Sequence, residues 1–505
     1  MYSTLEVLLA DLRTLIRSLG QTGGKISASV YDTAQGLRFA PAPDVQPAVH
    51  WLVSQQYTDG GWGHAAAPLA RHVPTLAAIL ALQTYVPQFP ELQKHIQPGL
   101  DFLQQHAYKW QPPLPEELPV GVELILPTLL REAKNSGLNL PEEPYQAIIE
   151  LGGIKRKLIT RIKPGAGTPA VFSWEAWGDE SNLTVQDETG GVGHSPAATA
   201  YWLHRAQQNP NLADQRQKAQ RYLQSAAQAT GLDAPGILPS AWPIDRFEQA
   251  LSLHALQMAD LLDSPLLQDV VRPQVNELAT AMRPDGLGFS DVFDTDGDDT
   301  LAAVAVLKGS GYDIAPSTFA SFENNQHFLG YPGEMQSSPS VTARGVHVLH
   351  LYGRDASHPI PYLMQRRNNQ GAWPGDKWNS SWLYITYLAA YALRLNGAPY
   401  QDTVCETVRT VSAQQNRDGG WGLFGASNFT ETAYALSLLR LLPCEQHGEI
   451  MKRGYAWMLQ NYRPFVMNTE QWWLNKQEYR PCRIDRAFEL SALVNLTMYY
   501  GDKQA

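Results

Sequence analysis

The chain has 505 residues, of which 44% are hydrophobic and only 17% are charged, and its net charge is −10 at pH 7. This composition is typical of a globular protein with a large core and excludes a disordered chain, while the acidic balance argues against a nucleic-acid partner. No apolar run reaches the roughly 18 residues that span a bilayer, and the N-terminus lacks a basic segment followed by an apolar one, so we expect neither a transmembrane segment nor a signal peptide.

A motif rich in Gln, Gly and Trp repeats along the chain. Residues 55–63 read QQYTDGGWG, and residues 414–422 read QQNRDGGWG. Looser copies lie at 186–193, 283–289 and 370–373. The Asp-Gly-Gly piece is a turn signal that can end one helix and begin the next. The Gln side chain can tie neighbouring helices by hydrogen bonds, and the Trp side chain by buried area and an N–H donor.

A helical segment follows each copy of this motif. In these segments apolar residues recur three and four positions apart, as in an amphipathic helix. The segments are 74–84, 195–203, 300–307, 381–393 and 431–441. Strand signals are nearly absent from the chain. Turns and helix pairs that repeat in this way predict an all-α fold of stacked helical hairpins.

The repeats fall into two groups, at about residues 50–230 and about 280–500. A stretch rich in Pro and Gly, residues 234–243, lies between them. Such stretches are common at domain boundaries. The spacing therefore predicts two domains with a junction somewhere in 235–285.

The sequence DGDDT, from Asp296 to Thr300, places three carboxylates within four residues. An apolar run from Leu301 to Leu307 follows directly. Because like charges this close cannot all ionise cheaply, at least one proton should be held well above its ordinary pKa. A carboxylic acid that stays protonated in an apolar, aromatic pocket can act as a Brønsted acid toward an alkene.

The same segment has two other interpretations. A calcium-binding EF-hand loop needs Gly at its sixth position and Glu at its twelfth. With Asp294 as the first position, the sixth is Asp299 and the twelfth is Ala305, so the calcium interpretation fails. A helix N-terminus, at which Asp side chains cap free N–H groups, is compatible with the acid chemistry and stays open beside it.

The three cysteines show no pattern of a metal site or of a disulfide framework. Cys405, Cys444 and Cys482 lie far apart and are odd in number. This usage is typical of a reducing compartment, and we expect a cytoplasmic protein.

Several blocks, in this order, resemble those of the class II terpene cyclases. They are SVYDTA at 29–34, the Gln/Trp repeats, which resemble the family's QW repeats, the acid motif at 296–300, which resembles its DxDD motif, DKWN at 376–379, ETAYA at 431–435 and YRPCRID at 479–485. The similarity runs over nearly the whole chain. It is strongest to the bacterial class II diterpene cyclases, of the copalyl diphosphate synthase type without the extra domain of the plant enzymes.

The resemblance implies a double α/α-barrel in which a γ domain is inserted into a β domain. Residues 1–24 and 271–505 would form the β domain with the acid motif, and residues 25–270 would form the γ domain. The active site would lie between them. Asp298 would be the general acid, and Asp296 and Asp299 would tune it.

Other site residues follow from the same resemblance. His347 lies where relatives carry a residue that orients the acid, although a His on an apolar helical face can equally be a core residue. Trp174, Trp242, Trp378 and Trp382 lie in blocks that flank the family's cavity and are candidates for substrate contact, and Trp177 and Trp373 lie in the same blocks.

The chain departs from the plant enzymes at the end of the reaction. The positions where they carry a His and an Asn that hold the final proton acceptor read Phe172 and Ser240 here. We therefore expect a different terminating base. Glu175 or a Tyr side chain could serve, but the sequence selects neither.

The chain also departs from the family where the diphosphate is bound. The acidic magnesium motif expected after the first QW repeat is absent from residues 64–72. Lys155 and Lys157, together with Arg156, Arg161 and Lys163, could hold phosphates directly, and a solvated surface is the alternative. We expect Mg²⁺ to enter with the substrate's diphosphate and no metal site of the protein's own. The motif with which class I synthases ionise a diphosphate is not apparent, so the diphosphate should survive.

These features predict an isomerase (an intramolecular lyase) that cyclises geranylgeranyl diphosphate to a bicyclic labdane- or halimane-type diphosphate. Alternatives are a cyclase of farnesyl diphosphate or of a prenylated aromatic compound. A non-catalytic helical scaffold, or a protein prenyltransferase β-subunit with a zinc site of Asp, Cys and His, fits the intact acid motif and the Cys positions less well. A peripheral contact with membranes stays open.

Overall fold

The computed structural model describes residues 4–334, 336–442 and 447–501. Cys444 lies outside these residues. Within them most residues are helical, and the named strands are two residues long, so the predicted all-α fold is confirmed. No helix in the described part of the chain has the length and apolar character needed to cross a bilayer.

The helices of the first half alternate between an inner and an outer layer. Their bounds are α1 Thr4–Ser18, α2 Val30–Phe39, α3 Gln46–Ser54, α4 His72–Tyr85, α5 Gln93–His106, α6 Val122–Asn135, α7 Gln146–Ile162, α8 Trp174–Trp177, α9 Pro196–Ala206 and α10 Ala213–Ala229. Helices α2, α4, α6, α8 and α9 form an inner ring in which each packs on the next and α9 packs on α2. Helices α3, α5, α7 and α10 lie outside this ring.

The helices of the second half form a larger closed ring. Their bounds are α11 Asp245–Met258, α12 Gln268–Ala281, α13 Gly297–Gly309, α14 Pro339–Leu351, α15 Ile360–Arg366, α16 Trp382–Leu395, α17 Gln401–Ala413, α18 Phe429–Leu439, α19 Gly448–Asn461 and α20 Cys482–Gly501. Helices α11, α13, α14, α16, α18 and α20 pack in sequence, and α20 closes on α11. Both halves are therefore α/α barrels of helical hairpins.

Short 3-10 turns connect many of these helices. They are Gln21–Gly23, Pro90–Leu92, Ala107–Trp110, Glu143–Tyr145, Pro169–Ser173, Glu180–Asn182, Pro210–Leu212, Pro316–Thr318, Ala320–Phe322, Ala398–Tyr400 and Leu423–Gly425.

The N-terminal helix α1 packs on α12 and α20 of the second barrel, and its Leu8 and Leu12 lie in that barrel's core. Helix α11 also belongs to this barrel, because it packs on α13 and α20. The predicted domain boundary at residue 270 would assign α11 to the inserted domain. We therefore propose that the inserted domain ends near residue 244.

The repeated Gln and Trp residues make the same bonds in different copies of the motif. The side-chain amides of Gln56 and Gln415 each donate to the carbonyl oxygen four residues ahead and to a carbonyl of the next outer helix, His95 O at 2.9 Å and Ile450 O at 2.8 Å respectively. The indole N–H groups of Trp62 and Trp421 each donate to the carbonyl oxygen ten residues earlier, at 2.8 Å. The motif is thus a structural tie between neighbouring hairpins, as the sequence predicts.

A short hairpin joins the two barrels. Its strands are β1 Trp473–Leu474 and β2 Glu478–Tyr479, paired antiparallel. The Asn475 carbonyl accepts from Val120 N at 3.1 Å, and Lys476 Nζ donates to Glu175 Oε1 at 2.6 Å. On the other side, Leu474 N donates to Trp378 O at 2.8 Å. The hairpin therefore contacts the first barrel with its tip and the second barrel with its first strand.

The hydrogen bonds of the repeated Gln residues should stabilise the fold, which can be tested by mutation. Replacing Gln415 with Leu removes the side-chain amide that donates to the Gly419 and Ile450 carbonyl oxygens. Because two hydrogen bonds are lost, the free energy of unfolding should fall by about 1–2 kcal/mol. The control is Gln414→Leu, because Gln414 is the exposed neighbour. Urea unfolding followed by circular dichroism measures both variants, and equal stability of the two would contradict a structural role for the amide.

Candidate active site

The acid motif forms the N-terminus of α13, an inner helix of the second barrel. Asp296 is the N-cap residue, and its side chain accepts a hydrogen bond from Asp299 N at 2.8 Å. Asp298 and Asp299 lie in the first turn. A helix N-terminus favours carboxylates because its free N–H groups and its dipole point toward them. The helix-capping interpretation of the motif is therefore correct, and it sets the positions of all three carboxyl groups.

Gly297 allows a close approach between the motif and the chain segment beside it. Its amide donates to Gly330 O at 2.7 Å. A Cβ atom at this position would lie 2.0 Å from Leu329 O, far inside van der Waals contact. Any other residue between the first two aspartates would therefore push this segment away from the acid motif.

Burial raises the pKa of all three aspartates. The pKa of Asp296 rises to about 7, chiefly because the carboxyl group is desolvated and further because the charge of Asp298 is near. Desolvation and the charge of Asp296 raise the pKa of Asp299 well above its usual value. Neither oxygen of Asp299 meets a hydrogen-bond donor among the described residues. A proton shared between Asp296 and Asp299 supplies that donor, so the pair retains a proton near neutral pH.

Asp298 differs from its two neighbours in exposure and in its partner. Its side chain is 16% exposed, whereas Asp296 and Asp299 are buried. Desolvation raises its pKa, and the guanidinium of Arg344 on α14 opposes that rise through an ion pair. The same guanidinium also donates to the Tyr384 hydroxyl on α16. Asp298 is thus the carboxyl group of the motif that can reach a bound molecule.

A cleft lies between the two barrels; the acid motif does not line it, but two of its lining residues act on Asp298 through their charges. This cleft has a volume of about 260 Å³. Loops 66–70 and 117–119 of the first barrel line one wall, and Asp376, Lys377 and Leu474 of the second line the other. The charges of Asp376 and Lys377 both act on the pKa of Asp298. A larger groove of about 1020 Å³ lies on the first barrel between α3 and α10, but no residue of the acid motif lines it.

Asp376 is a site residue that the sequence analysis noted only as part of a motif block. One carboxylate oxygen accepts from Ser338 Oγ at 2.7 Å and from Ser340 Oγ at 2.7 Å and N at 3.1 Å. The other accepts from the amides of Trp378 and Asn379 at 3.0 and 3.1 Å. Five donors hold this carboxylate in place, so it fixes the wall of the cleft. Its neighbour Lys377 pairs with Glu334.

Aromatic rings lie directly behind the acid. The ring of Tyr384 lies 5.1 Å from that of Tyr434, 5.1 Å from that of Trp473 and 5.7 Å from that of Phe488, measured between centroids. Desolvation raises the pKa of Tyr479 well above its usual value, and the charges of Asp298 and Asp299 add to this rise. These rings come from α16, α18, α20 and the hairpin, so sequence reasoning on single blocks did not identify them.

The four tryptophans predicted to contact the substrate lie in different places. Trp378 is next to Asp376 and packs near Gly330, beside the acid motif. Trp382 begins α16 and is half-buried against the second barrel's core. Trp174 is fully buried in a separate small core against Tyr201. Trp242 packs on Tyr222, with its indole N–H bonded to the Thr22 carbonyl. The contacts of Trp174 and Trp242 are structural.

His347 makes a different contact from the one predicted. Its ring hydrogen-bonds to His254 at 3.1 Å, and burial lowers its pKa to about 3. The residue that contacts Asp298 is Arg344, three positions earlier on α14. His347 therefore has the contacts of a neutral core residue, which is the alternative that the sequence left open.

The basic residues on α7 are not assembled at the cleft. Lys155 donates to Glu123 Oε1 at 2.5 Å, and Lys157 is exposed. Arg156 donates to the Ala176 carbonyl at 2.6 Å. Their arrangement on the outer layer agrees with the alternative of a solvated surface.

The two positions that depart from the plant enzymes lie at the junction of the barrels. The Phe172 ring lies 4.4 Å from Lys476 Nζ. Ser240 Oγ accepts from Asn475 Nδ2 at 2.9 Å. Phe172 and Ser240 both contact residues of the hairpin, so these two positions have a structural role.

The cleft does not fit a magnesium ion held by the protein alone. Among the described residues, no group of three or more His, Cys, Asp or Glu side chains is close enough to bind a metal. Asp376 already accepts five hydrogen bonds, and Glu334 is paired with Lys377.

Comparison with known proteins agrees with this geometry. The squalene-hopene cyclase C-terminal domain family matches residues 334–475. The (+)-kolavenyl diphosphate synthase of Herpetosiphon aurantiacus is 46% identical over 98% of both chains. The labda-7,13-dienyl diphosphate synthase of Streptomyces clavuligerus is 29% identical over 86% of this chain and 83% of its own.

A solved structure extends the similarity to the whole fold. The ent-copalyl diphosphate synthase of Streptomyces platensis superimposes with a TM-score of 0.79 at 26% identity, over 97% of this chain and 99% of its own. Full-length similarity in both sequence and fold accompanies the buried acid motif. The chain therefore belongs to the class II diterpene cyclases.

Proposed function

We propose that this protein protonates the terminal alkene of geranylgeranyl diphosphate and cyclises it to a bicyclic diphosphate. The observation that carries the proposal is that Asp298 is partly exposed, beside two buried carboxyl groups that retain a proton. The relatives named for kolavenyl and labdadienyl diphosphates support the substrate class. The 46% identity makes a kolavenyl-type diphosphate the first product to look for.

The geometry suggests how Asp298 can be both protonated and acidic. Burial favours the neutral carboxylic acid, so the proton is retained until a substrate arrives. Arg344 stabilises the carboxylate that remains after the proton has moved to the alkene. Because an alkene is a very weak base, stabilisation of the conjugate base lowers the barrier to its protonation.

The remaining residues act on the carbocation. The rings of Tyr384, Tyr434, Trp473 and Phe488 present π faces and edges behind the acid, where they can stabilise positive charge. Neither Phe172 nor the engaged hydroxyl of Ser240 offers a free base at the positions used by the plant enzymes. This supports a product whose cation rearranges before it loses a proton. We propose that Mg²⁺ accompanies the substrate's diphosphate.

Loss of the acid should abolish turnover. We expect Asp298→Asn to lower kcat by about 1000-fold or more, because the amide has no acidic proton to give. Incubation with geranylgeranyl diphosphate and Mg²⁺, then phosphatase and gas chromatography–mass spectrometry, measures the bicyclic alcohol. Asp294→Asn is the matched control, since Asp294 is an exposed aspartate two positions before the motif. Retained activity in Asp298→Asn, with the native fold, would contradict the assignment.

The pH dependence of turnover has a predicted sign. The reaction needs the protonated motif, and the pKa of Asp296 lies at about 7. At saturating substrate, kcat should therefore be constant at lower pH and fall as the pH rises through about 7. A kcat that rises steadily to pH 9 would indicate a required base in place of a required acid.

Substitutions of Arg344 and His347 should affect kcat differently, although both residues lie on α14. Arg344→Gln should lower kcat roughly ten-fold or more with little change in KM, because the charge that stabilises the Asp298 carboxylate is lost. His347→Gln should leave kcat within about three-fold of the native value, since its contact is with His254. Steady-state kinetics at pH 6.5 compares the two. The reverse pattern would restore His347 as the orienting residue.

A further inference from the structure

Helix α7 carries an apolar stripe that no other part of the described chain covers. Ile154, Leu158 and Ile162 are 65%, 53% and 64% exposed. They are spaced four residues apart, so they lie along one face of the helix. Isolated exposed apolar residues are ordinary, but three large ones in a row on one helix are a contiguous patch.

The orientation of this face is fixed by the opposite side of α7. Gly152 packs so closely on α6 that a Cβ atom would lie 2.1 Å from the Glu123 carbonyl oxygen. Arg156 donates to the Ala176 carbonyl at 2.6 Å and to Thr128 Oγ1 at 3.1 Å. The inward face is thus fully engaged, and rotation of the helix cannot bury the stripe.

Basic residues flank the stripe on both sides. At 100° per residue, Lys155 lies beside one edge, and Lys157 and Arg161 lie beside the other. Lys157 and Arg161 are exposed, and Lys163 follows at the end of the helix. The acidic residue of α7, Glu150, stands one turn before the stripe and accepts from Gln146. This positive surface occurs on a protein with a net charge of −10.

An apolar stripe bordered by cations is the arrangement of a helix that lies in a membrane interface. The apolar side chains enter the acyl boundary, and the cations meet anionic headgroups. A protein partner of this acidic chain would need its own apolar groove with acidic rims. A bilayer with anionic lipids provides both the apolar environment for the stripe and the negative charge for the cations.

Helix α7 is also connected to the segments around the acid motif and the cleft. The loop after α7 reaches the segment that leads to the acid motif, where Asp294 N donates to Gly167 O at 3.0 Å. On its other side, α7 packs on the start of α6, which follows the cleft-lining residues Leu118 and Pro119. We propose that this face of α7, residues 154–163, docks the protein on an anionic membrane surface.

The test is co-sedimentation with vesicles. The native protein should bind phosphatidylcholine vesicles that contain 30% phosphatidylglycerol and bind pure phosphatidylcholine more weakly. Replacing the stripe by serine (I154S/L158S/I162S) should weaken binding on the order of 100-fold, because the apolar area that enters the bilayer is lost. Replacing two cations (K157Q/R161Q) should weaken it on the order of 10-fold. Lys155 is kept because it pairs with Glu123.

The matched control removes exposed apolar residues elsewhere. Phe424 and Phe465 are 75% and 56% exposed and lie outside α7. The variant F424S/F465S should bind vesicles as the native protein does. All variants should keep the native melting temperature and turnover of detergent-dispersed substrate, which separates membrane docking from the proposed reaction.

Three outcomes would overturn the proposal. One is that the native protein sediments with neither vesicle, and another is that the F424S/F465S control loses binding equally. The third is that light scattering shows a native dimer that the stripe variant converts to a monomer, with no vesicle binding. The last result would make the stripe an interface between two copies of this chain. If the serine variant does not fold, the K157Q/R161Q variant is the test: unchanged vesicle binding by this variant would also overturn the proposal.

Discussion

Three carboxyl groups lie within one turn at the start of α13, two of them buried and that of Asp298 only 16% exposed. They remain there because the fold compensates them in three ways. The helix N-terminus supplies N–H donors, Arg344 supplies a positive charge, and Asp296 and Asp299 share a proton. Gly297 keeps the neighbouring segment close enough to exclude water from the pair. Removing any of these would leave desolvated charge, which is costly. The same desolvation keeps a proton on the motif near neutral pH.

The cleft depends on a second constraint, the hairpin between the barrels. Lys476 is buried and donates to both Glu175 and Ser195 of the first barrel at 2.6 Å. The strand before it is bonded to the segment that carries Trp378. A buried ion pair of this kind adds little net stability, but breaking it is costly, so it specifies one relative placement of the two barrels. That placement sets the distance from the cleft's far wall to Asp298.

Local patterns in the sequence were sufficient for the fold and for locating the carboxyl cluster. The repeats encode turns and ties within some forty residues of one another, and the three carboxylates of the motif lie within four residues. The family resemblance identified the most exposed member, Asp298, as the acid. Local patterns did not predict the place of helix α11. Its sequence does not reveal that it closes the second ring by packing on α20.

The rest of the site depends on contacts between distant segments, which single blocks do not encode. His347 and Arg344 are three residues apart on one helix. Only the packing of α14 against α13, together with the hydrogen bond of His347 to His254 on α11, decides which one meets Asp298. Trp174 sits in a block associated with the cavity but points into a small core. Lys155 and Lys157 form a basic run that suggests phosphate, yet α7 carries them on the outer layer.

The measurement that tests the central claim most directly is the reaction of geranylgeranyl diphosphate in D₂O. If Asp298 starts the reaction by protonating the alkene, the product should contain one deuteron from solvent at the protonated carbon and keep its diphosphate. Mass spectrometry of the dephosphorylated product and phosphorus NMR of the mixture report the two results. Release of inorganic pyrophosphate, or a cyclic product without deuterium, would contradict protonation by the buried acid motif.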